Sequence, residues 1–301
     1  MRWRQVLGLS AMALALSGLA QAGDTVLVLS SNEPEYLAVA AGFKSNFSGN
    51  FREIGLEGSD TKQRAVGEEL KAAKPGLAVV VGDLAAQMAQ WYLAGVPMIY
   101  CQASQGAKLS LAGGKVVSIY HEPDPSEQLK ILPGLFPGKT RVGLFFSPEY
   151  AKINRPLLKK QSQELGLTLE MIALNSIQEV PGKLRELLPK VDVLWVFTDP
   201  VILSSHSIQY LVLQAVSSGV PIFCGDNALA RRGATAAMVP DFEDVGRQAA
   251  QAAAELAQGK GAQKETILYP KGRLILNQKI AGLLKLSFPA PLLSQAQELI
   301  H

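Results

Sequence analysis

Polar side chains follow several predicted strands of this 301-residue chain, and their types suit the binding of a small polar molecule. In the first half they are Ser31, Asn32, Tyr36, Asp83, Gln102 and Ser104; in the second half they are Ser147, Glu149, Tyr150, Thr198, Asp199, Asp226 and Asn227. The helix N-termini predicted after Ser31 and Ser147 offer N–H groups and a partial positive charge to a carboxylate or phosphate. Asp199 and Asp226 offer negative charge to an ammonium group. The set therefore predicts a binding site for a ligand with both charges, such as an amino acid.

Each candidate also has a structural interpretation, because Ser, Thr, Asp and Asn are common helix caps and turn formers. Asp199 ends a buried strand and precedes a proline that fits the first turn of a helix, so it could cap that helix or neutralise a ligand. Tyr36 and Tyr150 each begin the helix after the first strand of their half, where they could line the site or pack on the surface. Binding is favoured because several such loops are predicted to meet at one cleft.

Motifs that would indicate an enzyme are missing from the sequence, which contains no G-x-S-x-G, no G-x-G-x-x-G after a strand, no P-loop and no C-x-x-C. His121, His206 and His301 have no histidine or carboxylate partner four residues on, whereas a zinc site needs three or four convergent ligands. The sequence therefore predicts no catalytic residue, no metal site and no cofactor.

The elements that must position the polar residues include two copies of one unit. Residues 76–104 and 191–227 each contain a short apolar strand, an Asp at its end, a helix, and Gly-Val-Pro before a second apolar strand. Glycine commonly ends a helix, and proline is tolerated at the start of a strand. A β-α-β unit that occurs once in each half of the chain indicates two similar α/β lobes facing each other.

Strands alternate with helices along the whole chain, which predicts the α/β class with an open, mostly parallel sheet in each lobe. We expect residues 23–120 and about 266–301 to form the N-terminal lobe, and residues 121–265 the C-terminal lobe. Connections near residues 120–123, 239–241 and 259–266 contain proline or glycine and are candidates for crossovers about which the lobes move. Ligands of such sheets bind outside the carboxyl ends of the strands, so the cleft between the lobes is the predicted site.

Residues 1–22 have the pattern of a cleavable secretory signal, with a basic start, an apolar run and Ala20-Gln21-Ala22 before the cleavage point. The apolar run is shorter than the roughly 20 residues that a membrane-spanning helix needs. We therefore expect a mature protein that begins at Gly23 and resides in the periplasm. Without this segment the formal net charge falls from +3 to about +1, and no polybasic run remains that would favour nucleic acid.

Cys101 and Cys224 are the only cysteines, and each ends a predicted strand in a different lobe. They could form a disulfide that joins the lobes, or they could remain two separate buried thiols. We favour two thiols, because free cysteine is among the most buried residue types.

The C-terminal residues resemble the signature of a known family. Asn277 and Ala281 fit Asn-x-x-x-Ala-x-x-Leu, and residues 289–296 fit Pro-x-x-Leu-Leu-x-x-Ala, as in the TrpX-like ABC-transporter substrate-binding proteins. The resemblance also includes Thr198-Asp199 and Arg231-Arg232-Gly233-Ala234, and it covers essentially all of the mature chain. It implies a type I periplasmic-binding-protein fold, in which three crossovers hinge two lobes around a trapped ligand, and it supports Asp199 as a site residue.

Three places depart from the pattern of that family. Gly82 stands where the family usually has Thr, Ala103-Ser104 where Asp-Pro is common, and Ser147-Pro148 where the second-lobe loop opens with Asn-Pro. The first-lobe contacts, and with them the identity of the ligand, are therefore not carried over from the family.

Three functions fit these patterns. We expect capture of a small-molecule ligand for an ABC permease in the inner membrane, by a monomeric protein with no nucleic-acid partner. The alternative from another class is a ligand-sensing subunit that presents its closed form to a membrane receptor or kinase. A secreted hydrolase on a similar fold is disfavoured because the sequence offers no paired nucleophile and base.

Overall fold

The computed structural model describes residues 24–103, 115–148, 153–199, 201–260 and 266–301. Within these ranges the chain forms two α/β lobes, each with a mostly parallel sheet between layers of helices, as predicted. The predicted signal segment, residues 1–22, lies outside the described residues. Among the helices described, none combines the length and the apolar character that a membrane span requires.

The first lobe is built on a six-stranded parallel sheet. Its early elements are β1 (Thr25–Leu29), α1 (Pro34–Asn46), β2 (Phe51–Gly55), α2 (Asp60–Ala73), β3 (Leu77–Val81), α3 (Asp83–Tyr92), β4 (Met98–Cys101) and β5 (Val116–Ile119). The chain then passes through the second lobe and returns to the first lobe to form α9 (Phe242–Ala257) and β11 (Thr266–Leu268). The strand order is β11-β5-β4-β3-β1-β2. Strands β1, β3, β4 and β5 are buried along their whole length, because helices cover both faces of the sheet, and their sequences are accordingly almost continuous apolar runs.

The second lobe is built on a seven-stranded sheet. It contains α4 (Pro125–Leu135), β6 (Arg141–Phe146), α5 (Arg155–Glu164), β7 (Thr168–Ala173), α6 (Val180–Leu187), β8 (Val193–Val196), α7 (Ser205–Ser217), β9 (Ile222–Cys224), α8 (Asn227–Arg232), β10 (Ala236–Pro240), β12 (Gly272–Asn277), α10 (Gln278–Leu283), α11 (Ala290–Gln295) and β13 (Glu298–Ile300). Turns of 3-10 helix, Ile177–Glu179 and Leu188–Lys190, flank α6. The strand order is β13-β12-β10-β9-β8-β6-β7, and β12 runs antiparallel to β10.

The predicted duplication is confirmed. The units β3-α3-β4 and β8-α7-β9 each place two neighbouring parallel strands near the middle of their sheet. Central parallel strands carry buried, mostly apolar side chains on both faces. The polar residues of these units therefore lie mainly in the loops at the strand ends.

Three crossovers join the lobes, and two of them lie where the sequence predicted. Residues 120–124 lead from β5 to α4, and Asp241 leads from β10 to α9. The prediction of a third crossover near residues 259–266 is wrong, because the chain crosses at residues 269–271, between β11 and β12.

The assignment of the C-terminal part of the chain to lobes changes accordingly. Residues 242–268 lie in the first lobe and residues 272–300 in the second, whereas we expected residues 121–265 in the second lobe and about 266–301 in the first. Helix α9 packs on α1 and on the first sheet, and a Cβ on Gly42 or Gly246 would meet backbone of the other helix at 2.2 or 2.1 Å. Strand β12 joins the second sheet through its antiparallel register with β10.

Cys101 and Cys224 are both buried and both free, in different lobes, which confirms the interpretation as two thiols. Burial raises the pKa of each thiol, because the thiolate would lose its hydration.

Candidate ligand-binding site

The loops at the carboxyl ends of the two sheets meet at the boundary between the lobes. The side-chain amide of Asn227, which follows β9, donates to Glu35 Oε1 of α1 over 2.9 Å. A ring nitrogen of His121, which follows β5, lies 3.0 Å from the carbonyl oxygen of Thr198, which follows β8. Parallel strands of one sheet end at one edge, so these contacts bring the predicted ligand-binding edges of both sheets together.

Ser30 and Ser31 follow β1 and have different roles. The buried hydroxyl of Ser30 donates to the carbonyl oxygen of Val81 over 2.8 Å and accepts from the N–H of Ala85 over 2.9 Å, so it ties β1 to β3 and α3. Ser31 Oγ is buried and has no hydrogen-bond partner among the described residues. Ser31 was predicted as a site residue. Ser30 was missed, although its position directly after a buried strand could have indicated it.

Tyr36 packs over Gly82, one of the three positions where this sequence departs from the family pattern. Gly82 has φ of +84°, and a Cβ there would lie 2.6 Å from Ser30 Oγ and 2.7 Å from Tyr36 Cζ. The phenol end of Tyr36 therefore occupies the space that a side chain at residue 82 would need. Burial, with the nearby carboxylates of Glu33, Asp83 and Glu35, raises the pKa of Tyr36 to about 12, so the hydroxyl stays neutral.

Gln102 follows β4 with a backbone conformation that non-glycine residues rarely adopt. Its φ is +52°, a left-handed conformation that costs a residue with a Cβ about 1–2 kcal/mol. Its Nε2 is buried without a hydrogen-bond partner among the described residues. Strained residues of this kind concentrate at functional sites.

Asp199 lies beneath the second-lobe loops, and only 1% of its surface is exposed. Its Oδ2 accepts from the N–H of Ser147 over 2.7 Å, and its Oδ1 accepts from the N–H of Val201 over 2.9 Å. Of the two roles that the sequence left open, capping of the following helix does not apply, because α7 begins at Ser205 and is capped by Ser204. The Asp199 carboxylate joins the loop after β6 to the loop after β8 and so positions Ser147.

Asp226 and Asn227 begin α8 beside the first lobe. Asp226 Oδ1 accepts from the N–H of Leu229 over 2.6 Å and is the N-cap of the helix. Burial raises the pKa of Asp226, and the Glu35 carboxylate of the other lobe acts in the same direction, whereas its hydrogen bonds and Arg232 oppose the shift. Two carboxylates from opposite lobes are thus close enough to interact, and a cationic group between them would stabilise both.

His121 and Glu122, in the first crossover, were missed as site residues. The Glu122 carboxylate is 1% exposed, accepts from the N–H of Thr198, and packs against the bare backbone of Gly225, where a Cβ would lie 2.6 Å from Glu122 Oε1. Burial, with the charge of Asp226 as a smaller cause, raises the pKa of Glu122 to about 7, although hydrogen bonds from Thr198 and Gln128 favour the ionised form. Two titratable residues in succession, one residue after a buried strand, are the sequence signal that could have identified them.

The remaining candidates are less informative. Asn32 and Asp83 are exposed at the ends of β1 and β3, and Ser147 is buried. Ser104, Glu149 and Tyr150 lie outside the described residues. Among the residues described, no group of three or more His, Cys, Asp and Glu side chains could hold a metal ion.

Residues 53–300 match the family of ABC transporter substrate binding proteins. A tyrosine-binding protein from Clostridioides difficile is 23% identical over 205 residues, which cover 65% of this chain and 59% of that relative. The aligned stretch therefore spans about three fifths of the length of this curated relative.

Two solved structures share the fold over almost the whole chain. An ABC domain from Streptococcus pneumonia in complex with L-Trp has a TM-score of 0.66 and 21% identity, covering 93% of this chain and 100% of that one. A substrate binding protein with adhesive properties from Clostridium difficile, in its ligand-free, open form, has a TM-score of 0.68 and 16% identity, covering 92% and 99%. At this level of identity the comparison concerns the fold, that of type I periplasmic binding proteins.

Proposed function

Because the chain belongs to the family of ABC transporter substrate-binding proteins, we propose that it captures an amino acid between its lobes and delivers it to an ABC permease in the inner membrane. Members of this family bind substrates rather than transform them, so the protein is not an enzyme. The specific proposals are the amino-acid ligand, the closure of the lobes on it, and the permease partner.

One observation carries the proposal of a small polar ligand. The strand ends that meet between the lobes present buried polar atoms with no hydrogen-bond partner among the described residues, namely Ser31 Oγ, Gln102 Nε2, His121 Nδ1 and Thr198 Oγ1. A buried polar atom without a partner costs about 1–3 kcal/mol, and a polar ligand held in the cleft would supply the missing hydrogen bonds. These atoms include both donors and acceptors, which matches the ammonium and carboxylate groups of an amino acid.

The names of two relatives support the same class of ligand. One is a tyrosine-binding protein, and the other was solved in complex with L-Trp. We propose an amino acid on this basis, but not a particular one. Gly82 stands where the family usually has Thr, and the ring of Tyr36 occupies the space that a side chain there would need.

A thermal-shift screen with the twenty common L-amino acids, and with small anions and sugars as comparison classes, tests the proposal. A ligand at 100 times its Kd stabilises the folded protein by about 2.7 kcal/mol, which gives a clear rise in Tm. A rise with sugars or anions but with none of the amino acids would contradict the amino-acid ligand.

We propose further that residues 1–22 are removed and that the mature protein acts in the periplasm. N-terminal sequencing of the periplasmic fraction should begin at Gly23. Material that retains residues 1–22 would contradict this location. The permease partner is tested separately, by asking whether loaded protein stimulates the ATPase activity of the reconstituted permease more than empty protein does.

A further inference from the structure

The contacts of His121 determine which of its two ring nitrogens carries the proton. Its Nε2 lies 3.0 Å from the carbonyl oxygen of Thr198, which can only accept, so Nε2 carries the proton and donates. Burial lowers the pKa of His121, although the Thr198 carbonyl and the charge of Asp83 oppose the shift, and the ring is therefore neutral at neutral pH. A neutral ring with a protonated Nε2 has an Nδ1 that can only accept.

Nothing in the described part of the chain donates to that nitrogen. His121 is 7% exposed, and its Nδ1 is buried without a hydrogen-bond partner among the described residues. Among the residues described, Nδ1 is therefore an acceptor without a donor.

The surroundings of His121 favour a donor that carries positive charge. The Asp83 carboxylate at the start of α3 is close enough to act on the ring. The ring of Tyr120 lies 4.3 Å from the imidazole and 5.5 Å from the ring of Tyr269, measured between centroids. Carboxylates and the faces of aromatic rings both attract cations, and an ammonium group combines such a charge with three N–H donors.

Gln102 lies between His121 and Asp83 in the order of the strand ends, since β4 is the neighbour of both β5 and β3. Its buried Nε2 can only donate and lacks an acceptor among the described residues. An acceptor-only nitrogen and a donor-only nitrogen at adjacent strand ends call for a ligand that offers a donor and an acceptor side by side.

We propose that His121 is a ligand-binding residue whose Nδ1 accepts a hydrogen bond from a protonated amine of the ligand, beside the charge of Asp83, while the Gln102 amide donates to a ligand oxygen. The inference rests on the proposed function and deepens it, because it assigns the amine end of the ligand to the first crossover. His121 belongs to a segment that joins the lobes, so recognition of the amine is coupled directly to their closure.

The first experiment compares ligands that differ in one group. The twenty common L-amino acids, their des-amino acids and their decarboxylated amines are screened by thermal shift, and affinities are then measured by calorimetry. We expect the amine-containing member of a pair to bind at least about tenfold more tightly than its des-amino partner.

The outcomes separate this inference from the proposed function. Des-amino acids that bind as well as the amino acids would overturn the role of His121 and leave capture of a small carboxylate intact. Amines that bind while amino acids do not would overturn the amino-acid ligand and support His121. If no amine-containing compound binds at millimolar concentration, the inference is overturned.

Substitutions test the residue itself. His121→Phe keeps a ring and removes both nitrogens, and we expect at least about tenfold weaker binding of the tightest amine-containing compound. His121→Asn keeps an acceptor oxygen near the position of Nδ1 and should retain more affinity than His121→Phe. Ser118→Ala is the matched control, because Ser118 Oγ is also buried and unpartnered but lies inside β5, so its removal should leave the affinity unchanged.

Wild-type affinity in His121→Phe, or an equal loss in Ser118→Ala, would overturn the inference. Should His121→Phe fail to fold, His121→Asn and the ligand pairs decide the question. In His121→Asn the discrimination against des-amino compounds should persist.

Discussion

Glu122 offers a test of how the crossover is stabilised. Its carboxylate is 1% exposed and packs against Gly225, and burial is the main reason that its pKa rises from an ordinary 4.5 to about 7. The folded protein thus holds this proton more tightly than the unfolded chain does. Below pH 4.5 both states are protonated and the shift has no effect on stability. As the pH rises to about 7 the unfolded chain ionises first, so the free energy of unfolding falls, and above pH 7 the loss is complete.

The size of the loss follows from the shift. A tenfold change in an acid dissociation constant corresponds to about 1.4 kcal/mol, so a rise in pKa from 4.5 to about 7 corresponds to about 3 kcal/mol. Glu122→Gln has almost the same shape, keeps an oxygen that accepts from the N–H of Thr198, and cannot ionise. We therefore expect the variant to be about 2–3 kcal/mol more stable than the wild type at pH 8, and about equally stable at pH 4.5.

Urea unfolding at a series of pH values between 4.5 and 8 measures the effect through the transition midpoint. Glu127→Gln is the control, because Glu127 is an exposed neighbour paired with Lys130, and its removal should give little change at any pH. A Glu122→Gln variant whose stability parallels that of the wild type across the series, or one that is less stable at pH 8, would refute the reasoning. Either result would mean that the buried carboxylate is stabilised by its hydrogen bonds more than it is penalised by burial.

Three further predictions concern the loops and the hinge. Asp199→Asn should lower the free energy of unfolding of the empty protein by about 1–3 kcal/mol, measured by urea unfolding. Both carboxylate oxygens accept from N–H groups, and the amide of Asn has only one oxygen that can accept. Unchanged stability would contradict this structural role and favour Asp199 as a counter-charge of the ligand. Gly82→Ala should lower the free energy of unfolding more than Gly58→Ala does. Both glycines have positive φ, but only at Gly82 would a Cβ lie against neighbouring atoms. Equal losses of stability in the two variants would contradict the close packing of Tyr36 on Gly82. Small-angle scattering should show a smaller radius of gyration with a confirmed ligand than without it, and an unchanged radius at saturation would argue against closure about the crossovers.

The sequence indicated which polar residues follow the buried strands more reliably than it indicated what each of them contacts. Ser31 and Gln102 were identified from their positions after buried strands, and both carry buried atoms without partners among the described residues. For Asp199, the sequence offered capping or counter-charge, whereas the structure shows a carboxylate held by N–H groups of two different loops. His121 was considered only as a metal ligand, because no local pattern shows that a ring nitrogen will face the carbonyl of Thr198, 77 residues later.

The sequence by itself determined the α/β class, the two lobes, the repeated β-α-β unit and two of the three crossovers. The secondary structure follows from apolar periodicity and from glycine and proline at element ends, which act over a few residues. The two lobes follow from the internal repeat, which can be recognised without knowing how its copies pack. Only the tertiary structure decided that residues 242–268 return to the first lobe and that β12 pairs antiparallel with β10. Local patterning states which residues are buried but not what they are buried against. The same limit applies to the site, where only the tertiary structure shows that the Nδ1 of His121 is buried without a hydrogen-bond partner among the described residues.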